Sequence, residues 1–162
     1  MTIDDRLKIL IGDDEKEKVY SSISRVADRI DLTYVTFADE LIKEAMKRSY
    51  DIIITDLTYN FTHQEQREQA IDYSKSRGNR VEELDDQYDE DDSERLWHLA
   101  NQSGIIVLEV LKEIKTKKIL WTGYDNDKIL TMRLKALDAT YLHKSMHLSN
   151  YLEGYLNSLK AK

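Results

Sequence analysis

Six residues whose types suit phosphoryl chemistry lie at or just beyond the ends of four short hydrophobic runs. They are Asp13, Asp14, Asp56, Thr122, Gly123 and Lys144. The runs before them cover residues 7–11, 52–55, 118–121 and 141–143. Carboxylates are among the ligands that Mg²⁺ prefers, and an ammonium and a hydroxyl can bind phosphoryl oxygens. This set therefore predicts a magnesium and phosphoryl site around a nucleophilic aspartate.

The position of these residues predicts that they meet. Short apolar or β-branched runs between helical stretches are typical of buried strands in a parallel sheet. Ligands bind beyond the carboxyl ends of such strands, so we expect the six residues to converge on one edge of the sheet. Three clustered carboxylates repel one another, and a metal ion or Lys144 must offset that cost.

The composition predicts one globular, cytoplasmic domain that covers residues 1–162. The chain is 41% hydrophobic and 34% charged, and its length allows one sizeable core. Its apolar stretches fall short of the roughly 18 residues that a membrane span needs, and its polar start does not resemble a signal peptide. The chain lacks cysteine, which excludes disulfides and thiolate metal sites and fits the cytoplasm.

The net charge of −7 is concentrated in one segment. Residues 59–102 contain 12 acids and 5 bases, whereas the remainder of the chain contains 19 of each. Neither part has the basic stripe that binding to a phosphate backbone requires. We therefore expect no direct nucleic-acid partner and no membrane partner, and we treat residues 59–102 as an insertion into a neutral domain.

Hydrophobic periodicity predicts the remaining elements. Apolar residues three and four apart predict amphipathic helices over residues 15–30, 39–48, 105–115, 127–137 and 148–159. A short strand is predicted over residues 33–36. Alternating strands and helices predict the α/β class, with a five-stranded parallel sheet in a three-layer α/β/α sandwich.

The insertion carries two helix signals of its own. Thr62 and Glu65 have the spacing of a capping box, and Gly78 marks the end of the polar helix that would start there. Ser93 is a candidate cap for a second helix that continues into the one predicted from residue 105. Acids dominate residues 79–92, so we expect this stretch to be the least ordered part of the chain.

Five segments, in this order, resemble the CheY-like receiver domain of response regulators in two-component signalling. They are KILIGDDE (8–15), YDIIITDL (50–57), SGIIVLEVLKEIK (103–115), ILWTGYD (119–125) and ALDATYLHK (136–144). Each segment alone is a weak signal, whereas all five in order are a strong one, and together they span nearly the whole chain outside the insertion. The resemblance implies the flavodoxin-like strand order 2-1-3-4-5.

The resemblance also implies a role for each site residue. Asp56 matches the phosphoacceptor aspartate of the family. The implied ligands of Mg²⁺ are Asp13, Asp14, Asp56 and the backbone carbonyl of Thr58. The implied phosphate-binding and switch residues are Thr122, Gly123, Tyr141 and Lys144. Thr58 and Tyr124 match the positions that tune the lifetime of the aspartyl phosphate, and their side chains predict slow hydrolysis.

Two features depart from the receiver pattern. Ser145 follows the lysine where the family usually has a proline joined through a cis peptide bond, and a cis bond before another residue costs about 3 kcal/mol. The Lys144–Ser145 peptide is therefore either trans with a rearranged loop or cis under strain, and the aim of Lys144 stays open. The second departure is the insertion, which is either a solvated elaboration or a lid or partner-binding surface.

Three functions compete at this point. The first is a stand-alone response-regulator receiver, not an enzyme, that accepts a phosphoryl group from a histidine kinase or a histidine phosphotransfer protein and signals to a downstream protein. The second is a pseudo-receiver, an interaction module that is not phosphorylated. A phosphatase of the haloacid dehalogenase type is disfavoured, because Thr58 stands where a second aspartate would act as general acid.

Overall fold

The computed structural model describes residues 5–80 and 89–161. Its strands are β1 (Leu7–Gly12), β2 (Ile30–Val35), β3 (Ile52–Thr55), β4 (Lys117–Thr122) and β5 (Ala139–His143). They form one parallel sheet in the order β2-β1-β3-β4-β5. The predicted α/β class and strand order are confirmed.

Seven α-helices accompany the sheet in the described residues. They are α1 (Lys16–Ile23), α2 (Ala38–Lys47), α3 (Gln64–Ser76), α4 (Glu90–Ala100), α5 (Ser103–Val110), α6 (Lys128–Ala136) and α7 (Leu148–Lys160). A 3₁₀ helix over Ser24–Arg29 follows α1. Within the described ranges, every helix is too short or too polar to cross a bilayer.

Alternate residues of each strand point to opposite faces of the sheet, as strand geometry requires. Ile9 and Ile11 of β1 pack in a core with α1 and α7, whereas Leu10 packs on the other side with α2 and α5. A third group of buried residues joins α4, α5 and α6. The sheet is thus covered on both faces, which explains why every residue of the central strand β3 is buried.

The first predicted helix is shorter than its periodicity indicated. The α-helix ends at Ile23, and Ile30 begins β2 instead of closing the helix. Ile30 pairs with Leu7 of β1 in the sheet. The spacing of apolar residues was compatible with a longer helix, but pairing with β1 draws residues 30–35 into a strand.

Neither predicted N-cap of the insertion's helices is found. Thr62 does not cap α3, because its amide and its hydroxyl both bind the carboxylate of Asp39 at 2.7 Å. Asp89 caps α4 by accepting a hydrogen bond from the amide of Asp92 at 2.8 Å, and Ser93 lies buried inside the helix. Gly78 ends the α3 segment as predicted, with φ of +70°.

The inserted helices form an extra layer outside α5. Residues Gly104 to Val110 of α5 are all buried, because the sheet lies on one side of the helix and α3 and α4 lie against it on the other. Leu96 and Leu99 of α4 pack with residues of α5 and α6. The insertion therefore supplies part of the hydrophobic core, which is why residues 104–110 of α5 are apolar apart from Glu109.

A buried ion cluster fastens the insertion to the receiver-like core. Glu109 of α5 is fully buried and contacts Arg80 of the insertion at 2.8 Å and Arg133 of α6 at 2.6 Å. The side chain of Asn79 donates to the carbonyl of Glu109, and Arg133 donates to the carbonyl of Asn79. Buried charges persist in proteins when they are paired in this way.

The expected disorder of residues 79–92 is wrong at both ends of that stretch. Asn79 is buried and Arg80 is part of the ion cluster, while residues 89–92 cap and begin α4. Residues 81–88 lie outside the described part of the chain. The prediction failed because acidic composition does not reveal the partners that fix particular residues.

Gly104 allows α5 to start directly against the backbone of residues 56 and 57. The amide of Gly104 donates to the carbonyl of Leu57 at 2.8 Å. A β-carbon at Gly104 would lie 2.2 Å from the carbonyl oxygen of Asp56 and 2.7 Å from the α-carbon of Leu57. Both contacts are with backbone, so the chain cannot relieve the clash by turning a side chain.

We predict that Gly104→Ala destabilises the protein by roughly 1–3 kcal/mol, since overpacked positions cost about this much. The matched control is Gly154→Ala in the exposed part of α7, where a β-carbon would meet nothing within 4 Å. That control should gain about 0.5–1 kcal/mol from better helix propensity. Urea unfolding of both variants provides the measurement, and equal stabilities for the two would contradict the close approach at Gly104.

Candidate functional site

The carboxyl ends of β1, β3, β4 and β5 bring the predicted site residues to one edge of the sheet. Gly12 lies opposite Thr55 in the β1–β3 pair, and the amide of Asp56 donates to the carbonyl of Gly12 at 3.0 Å. On the other side, the amide of Lys144 donates to the carbonyl of Thr122 at 2.8 Å. These backbone bonds extend the sheet by one residue and fix the starting points of the functional side chains.

Lys144 lies at the centre of the site. Its Nζ is 2.9 Å from Oδ2 of Asp13, 3.2 Å from Oδ2 of Asp56 and 3.3 Å from Oε2 of Glu15. The Lys144–Ser145 peptide bond is trans. Of the two conformations left open by the sequence, the trans form is therefore the one found, and with it the ammonium of Lys144 contacts both Asp13 and Asp56.

Three carboxylates form a cluster that is able to hold a metal ion. One oxygen from each of Asp13, Asp14 and Asp56 lies within 4.8 Å of the other two. Asp13 is fully buried and Asp56 is 7% exposed, whereas Asp14 is open to solvent. A group of carboxylates with two buried members and one exposed to solvent suits a hard divalent cation that keeps several of its water ligands.

One oxygen of each buried carboxylate is held by the backbone. The amide of Leu57 donates to Oδ1 of Asp56 at 2.7 Å, and the amide of Glu15 donates to Oδ1 of Asp13 at 2.8 Å. The hydroxyl of Tyr34 donates to the carbonyl of Asp13. The two Oδ2 atoms are the ones that meet Lys144, so both acids have a defined orientation.

Burial raises the pKa of Asp56 to about 6, and the negative charge of Asp13 adds to this effect while Lys144 opposes it. Burial also raises the pKa of Asp13. Burial lowers the pKa of Lys144, but Asp13 and Asp56 outweigh it and leave that pKa above its ordinary value. The lysine is thus charged, whereas the acids are held together against their repulsion.

The side chains of the predicted switch residues Thr122 and Tyr141 both contact the loop after β4. The hydroxyl of Thr122 is buried and accepts a hydrogen bond from the amide of Tyr124 at 3.2 Å. A hydroxyl can accept and donate at once, so this bond leaves its proton available. The hydroxyl of Tyr141 donates to the carbonyl of Tyr124, so the two predicted switch side chains bind the same short loop that contains Gly123.

The insertion reaches the site through Thr58. The hydroxyl of Thr58 donates to Oε1 of Gln102 at 2.9 Å, where the insertion rejoins α5. After Thr58 the chain passes over the start of α2, since the amide of Ala38 donates to the carbonyl of Asn60 at 2.9 Å. The described helices of the insertion then pack outside α2, α5 and α6. The described part of the insertion is thus docked on the fold, and it borders the site at Thr58.

Three residues near the site were missed at the level of sequence. Glu15 contacts Lys144, Gln102 binds Thr58, and His143 binds the loop after β4. Glu15 directly follows Asp13 and Asp14, and His143 directly precedes Lys144. These adjacent site residues could have indicated that Glu15 and His143 lie near the site. Gln102 is 44 residues from Thr58, and its contact depends on how the insertion folds back.

No family model matches the sequence, and no curated protein matches it either. Solved structures, in contrast, include receiver domains that match almost the whole chain. The receiver domain of the Francisella response regulator 1452 has a TM-score of 0.60 at 19% identity, over 97% of this chain and 100% of that chain.

Two further structures agree with this result. The non-phosphorylated receiver domain of RcsB from Escherichia coli has a TM-score of 0.58 at 16% identity, over 97% of this chain and 95% of that chain. The signal receiver domain of an HD domain-containing protein from Pseudomonas fluorescens has a TM-score of 0.56 at 15% identity, over 99% and 92%. The chain therefore has the fold of response-regulator receiver domains, as its sequence predicted.

The raised pKa of Asp56 predicts how stability changes with pH in the absence of divalent cations. Folded protein holds the proton of Asp56 up to about pH 6, whereas an unfolded aspartate loses it near pH 4. The unfolded state therefore binds fewer protons between these values, and the stability of the parent falls as pH rises through this window.

We expect Asp56→Asn to be more stable than the parent by roughly 1–3 kcal/mol at about pH 8, since a tenfold difference in proton affinity between the folded and unfolded states corresponds to about 1.4 kcal/mol. The gain should shrink as pH is lowered from about 6 to about 4. Urea unfolding with a chelator present measures the difference, and Asp31→Asn, an exposed aspartate in β2, is the control. A gain that grows towards low pH would show that the sign is wrong.

Proposed function

We propose that this protein is a response-regulator receiver that is phosphorylated on Asp56. The donor is the phosphohistidine of a histidine kinase or of a histidine phosphotransfer protein. The output is a contact with a downstream protein, and the domain acts as a phosphoacceptor and not as an enzyme with its own substrate turnover. We place it in the cytoplasm, where such donors act.

The observation that carries this proposal is the position of Lys144. Its ammonium contacts both the proposed nucleophile, Asp56, and one of the two adjacent acids, Asp13. The fold that brings them together is shared with receiver domains. A structural ion pair would need one acid for one lysine. Here the described residues bring three acids to this lysine and a fourth, Asp14, to the cluster, which suits a site that must also accommodate an anionic phosphoryl group.

The transfer is a single displacement at phosphorus. An oxygen of the Asp56 carboxylate forms a bond to the phosphorus, and the bond from phosphorus to the donor breaks, leaving the histidine imidazole or, with a small-molecule donor, acetate. Lys144 is placed to bind an oxygen of the transferred group, and the hydroxyl of Thr122 can donate to another. The amide of Leu57 holds the second oxygen of Asp56 and so orients the attacking one.

Mg²⁺ is the proposed cofactor, held by Asp13, Asp14, Asp56 and the backbone carbonyl of Thr58. A bound divalent cation neutralises the oxygens of the incoming group, without which a carboxylate is a poor nucleophile towards an anion. The site fits this ion because its donors are all hard oxygens, and because Asp14 lies open to the solvent from which the remaining ligands would come.

The lifetime of the proposed aspartyl phosphate depends on Thr58 and Tyr124. The hydroxyl of Thr58 is bound to Gln102, so it is not directed at an attacking water, and Tyr124 is a large side chain on the loop after β4. Neither residue supplies an acid or an amide that could orient water. We therefore propose slow hydrolysis.

Phosphorylation is tested by mass spectrometry of the intact protein after incubation with acetyl phosphate and Mg²⁺. The parent and the control Asp31→Asn should each gain one phosphoryl group, and Asp56→Asn should gain none. Labelling of Asp56→Asn at the parental level would reject Asp56 as the acceptor. A parent that stays unlabelled, also with a phosphohistidine donor, would favour a pseudo-receiver that binds partners without phosphorylation.

The metal ligands are tested by fluorescence titration with Mg²⁺ in a Trp97→Phe background. Trp121 then reports alone, and Lys144 lies 5.1 Å from its ring centroid, whereas Trp97 is 57% exposed and would add background signal. Asp14→Ala should weaken binding at least about tenfold, as losses in metal sites do. Glu17→Ala, an exposed acid in the first turn of α1, should bind like the parent, and equal affinity in both variants would count against the site.

A further inference from the structure

Ser145 gives the loop after Lys144 a backbone N–H that a proline there could not supply. This N–H donates to Nδ1 of His143 at 3.0 Å. The hydroxyl of Ser145 lies 2.8 Å from the same nitrogen. The imidazole and Ser145 therefore close a small ring of contacts around the backbone of Lys144.

The other nitrogen of His143 binds the loop after β4. Its Nε2 lies 3.0 Å from the carbonyl oxygen of Gly123. A carbonyl oxygen can only accept, so Nε2 carries a proton and donates it. Nδ1 of a neutral imidazole is then an acceptor, as the N–H of Ser145 requires. One tautomer thus satisfies both contacts, and the tautomer follows from the partners on each side.

His143 consequently links the two loops that carry the functional groups of the site. One loop bears Lys144, and the other runs from Thr122 through Gly123. Their backbones are already joined once, because the amide of Lys144 donates to the carbonyl of Thr122 at 2.8 Å. The imidazole adds a second connection one residue further along each loop, beyond the point where the strand ladder ends.

We propose that His143 is a positioning residue for Lys144. It holds the loop around the trans Lys144–Ser145 peptide in the position from which the ammonium reaches Asp13 and Asp56, and so orders a loop in which the receiver pattern would place a proline. The effect of His143 on phosphorylation rests on the proposed function, whereas its effect on the position of the Lys144 side chain does not.

Three substitutions separate the two hydrogen bonds of the imidazole. In His143→Asn the side-chain oxygen replaces Nδ1 and can accept the N–H of Ser145 two residues ahead, as asparagine commonly does in turns. In His143→Gln the amide can donate to Gly123, but the acceptor for Ser145 is lost. His143→Ala removes both. Ser145→Ala keeps the backbone N–H and removes only the hydroxyl, and is the matched control.

The first measurement is hydrogen exchange of the Ser145 amide by NMR. Its exchange should be about five- to tenfold faster in His143→Ala and His143→Gln than in the parent, as the loss of one hydrogen bond implies. His143→Asn and Ser145→Ala should exchange like the parent. The amide of Leu142 in β5 reports whether each variant stays folded. An unprotected Ser145 amide in the parent would overturn the proposal.

The second measurement is the aim of Lys144, followed through nuclear Overhauser contacts between its ε-methylene protons and the indole of Trp121. These contacts should be lost in His143→Ala and His143→Gln and kept in His143→Asn. Their persistence in all variants would overturn the positioning role. The nuclear Overhauser contacts test the positioning role even if the parent cannot be phosphorylated. A parent that cannot be phosphorylated would reject the proposed function and leave the positioning role standing.

The third measurement is the initial rate of labelling of Asp56 by acetyl phosphate, provided the parent is labelled. The rate should fall about five- to tenfold in His143→Ala and His143→Gln, with rescue in His143→Asn. A general loss of structure would slow all three variants together, so rescue by asparagine distinguishes positioning from stability. Equal rates in all four proteins would overturn the role in phosphorylation.

Discussion

The ammonium of Lys144 allows several carboxylates to share one edge of the sheet. Asp13 and Asp56 are both buried, and both contact the same Nζ, at 2.9 Å and 3.2 Å. Without that charge the two acids would face each other where water cannot screen them. The carboxyl ends of β1, β3 and β5 must therefore stay in register, because each strand contributes one member of this group.

The start of α5 is part of the same constraint. Helix α5 begins against the backbone of Asp56 and Leu57, and the absence of a side chain at Gly104 makes this approach possible. The helix is then enclosed by the sheet, α3 and α4. The backbone of Asp56, whose carboxylate would accept the phosphoryl group, thus packs against the start of α5, a helix that the insertion helps to bury.

The described residues of the insertion, 59–80 and 89–102, pack against the rest of the fold. Glu109 joins Arg80 of the insertion to Arg133 of α6, and the inserted helix α4 packs its leucines against α6. Arg95 also contacts Asp127 at the start of α6. A partner that approaches α6 consequently meets a surface that the insertion helps to form. Removal of one partner from such a buried pair is strongly destabilising, because it leaves an uncompensated buried charge.

The sequence by itself determined the class of fold and the convergence of the three aspartates and Lys144 on one edge of the sheet. Apolar runs that end in Asp56 or in Lys144 could be recognised because strand burial and the binding edge of a parallel sheet follow from local pattern. The end of α1 could not be predicted, since Ile30 fits a helical spacing and a strand equally well until it pairs with Leu7. The predicted cap of α3 was wrong for a related reason, because Thr62 binds Asp39, which is distant in sequence.

Only the tertiary structure decided how the departures from the receiver pattern are accommodated. The charge of the insertion indicated a mobile segment, but Arg80 and Glu109 are 29 residues apart, and their pairing has no periodic or local signature. The residue after Lys144 left two peptide conformations open. The trans form is the one that any peptide before a non-proline residue prefers. The position of the loop around it involves the contact of His143 with Gly123 across two strands, which arises only when the sheet has formed.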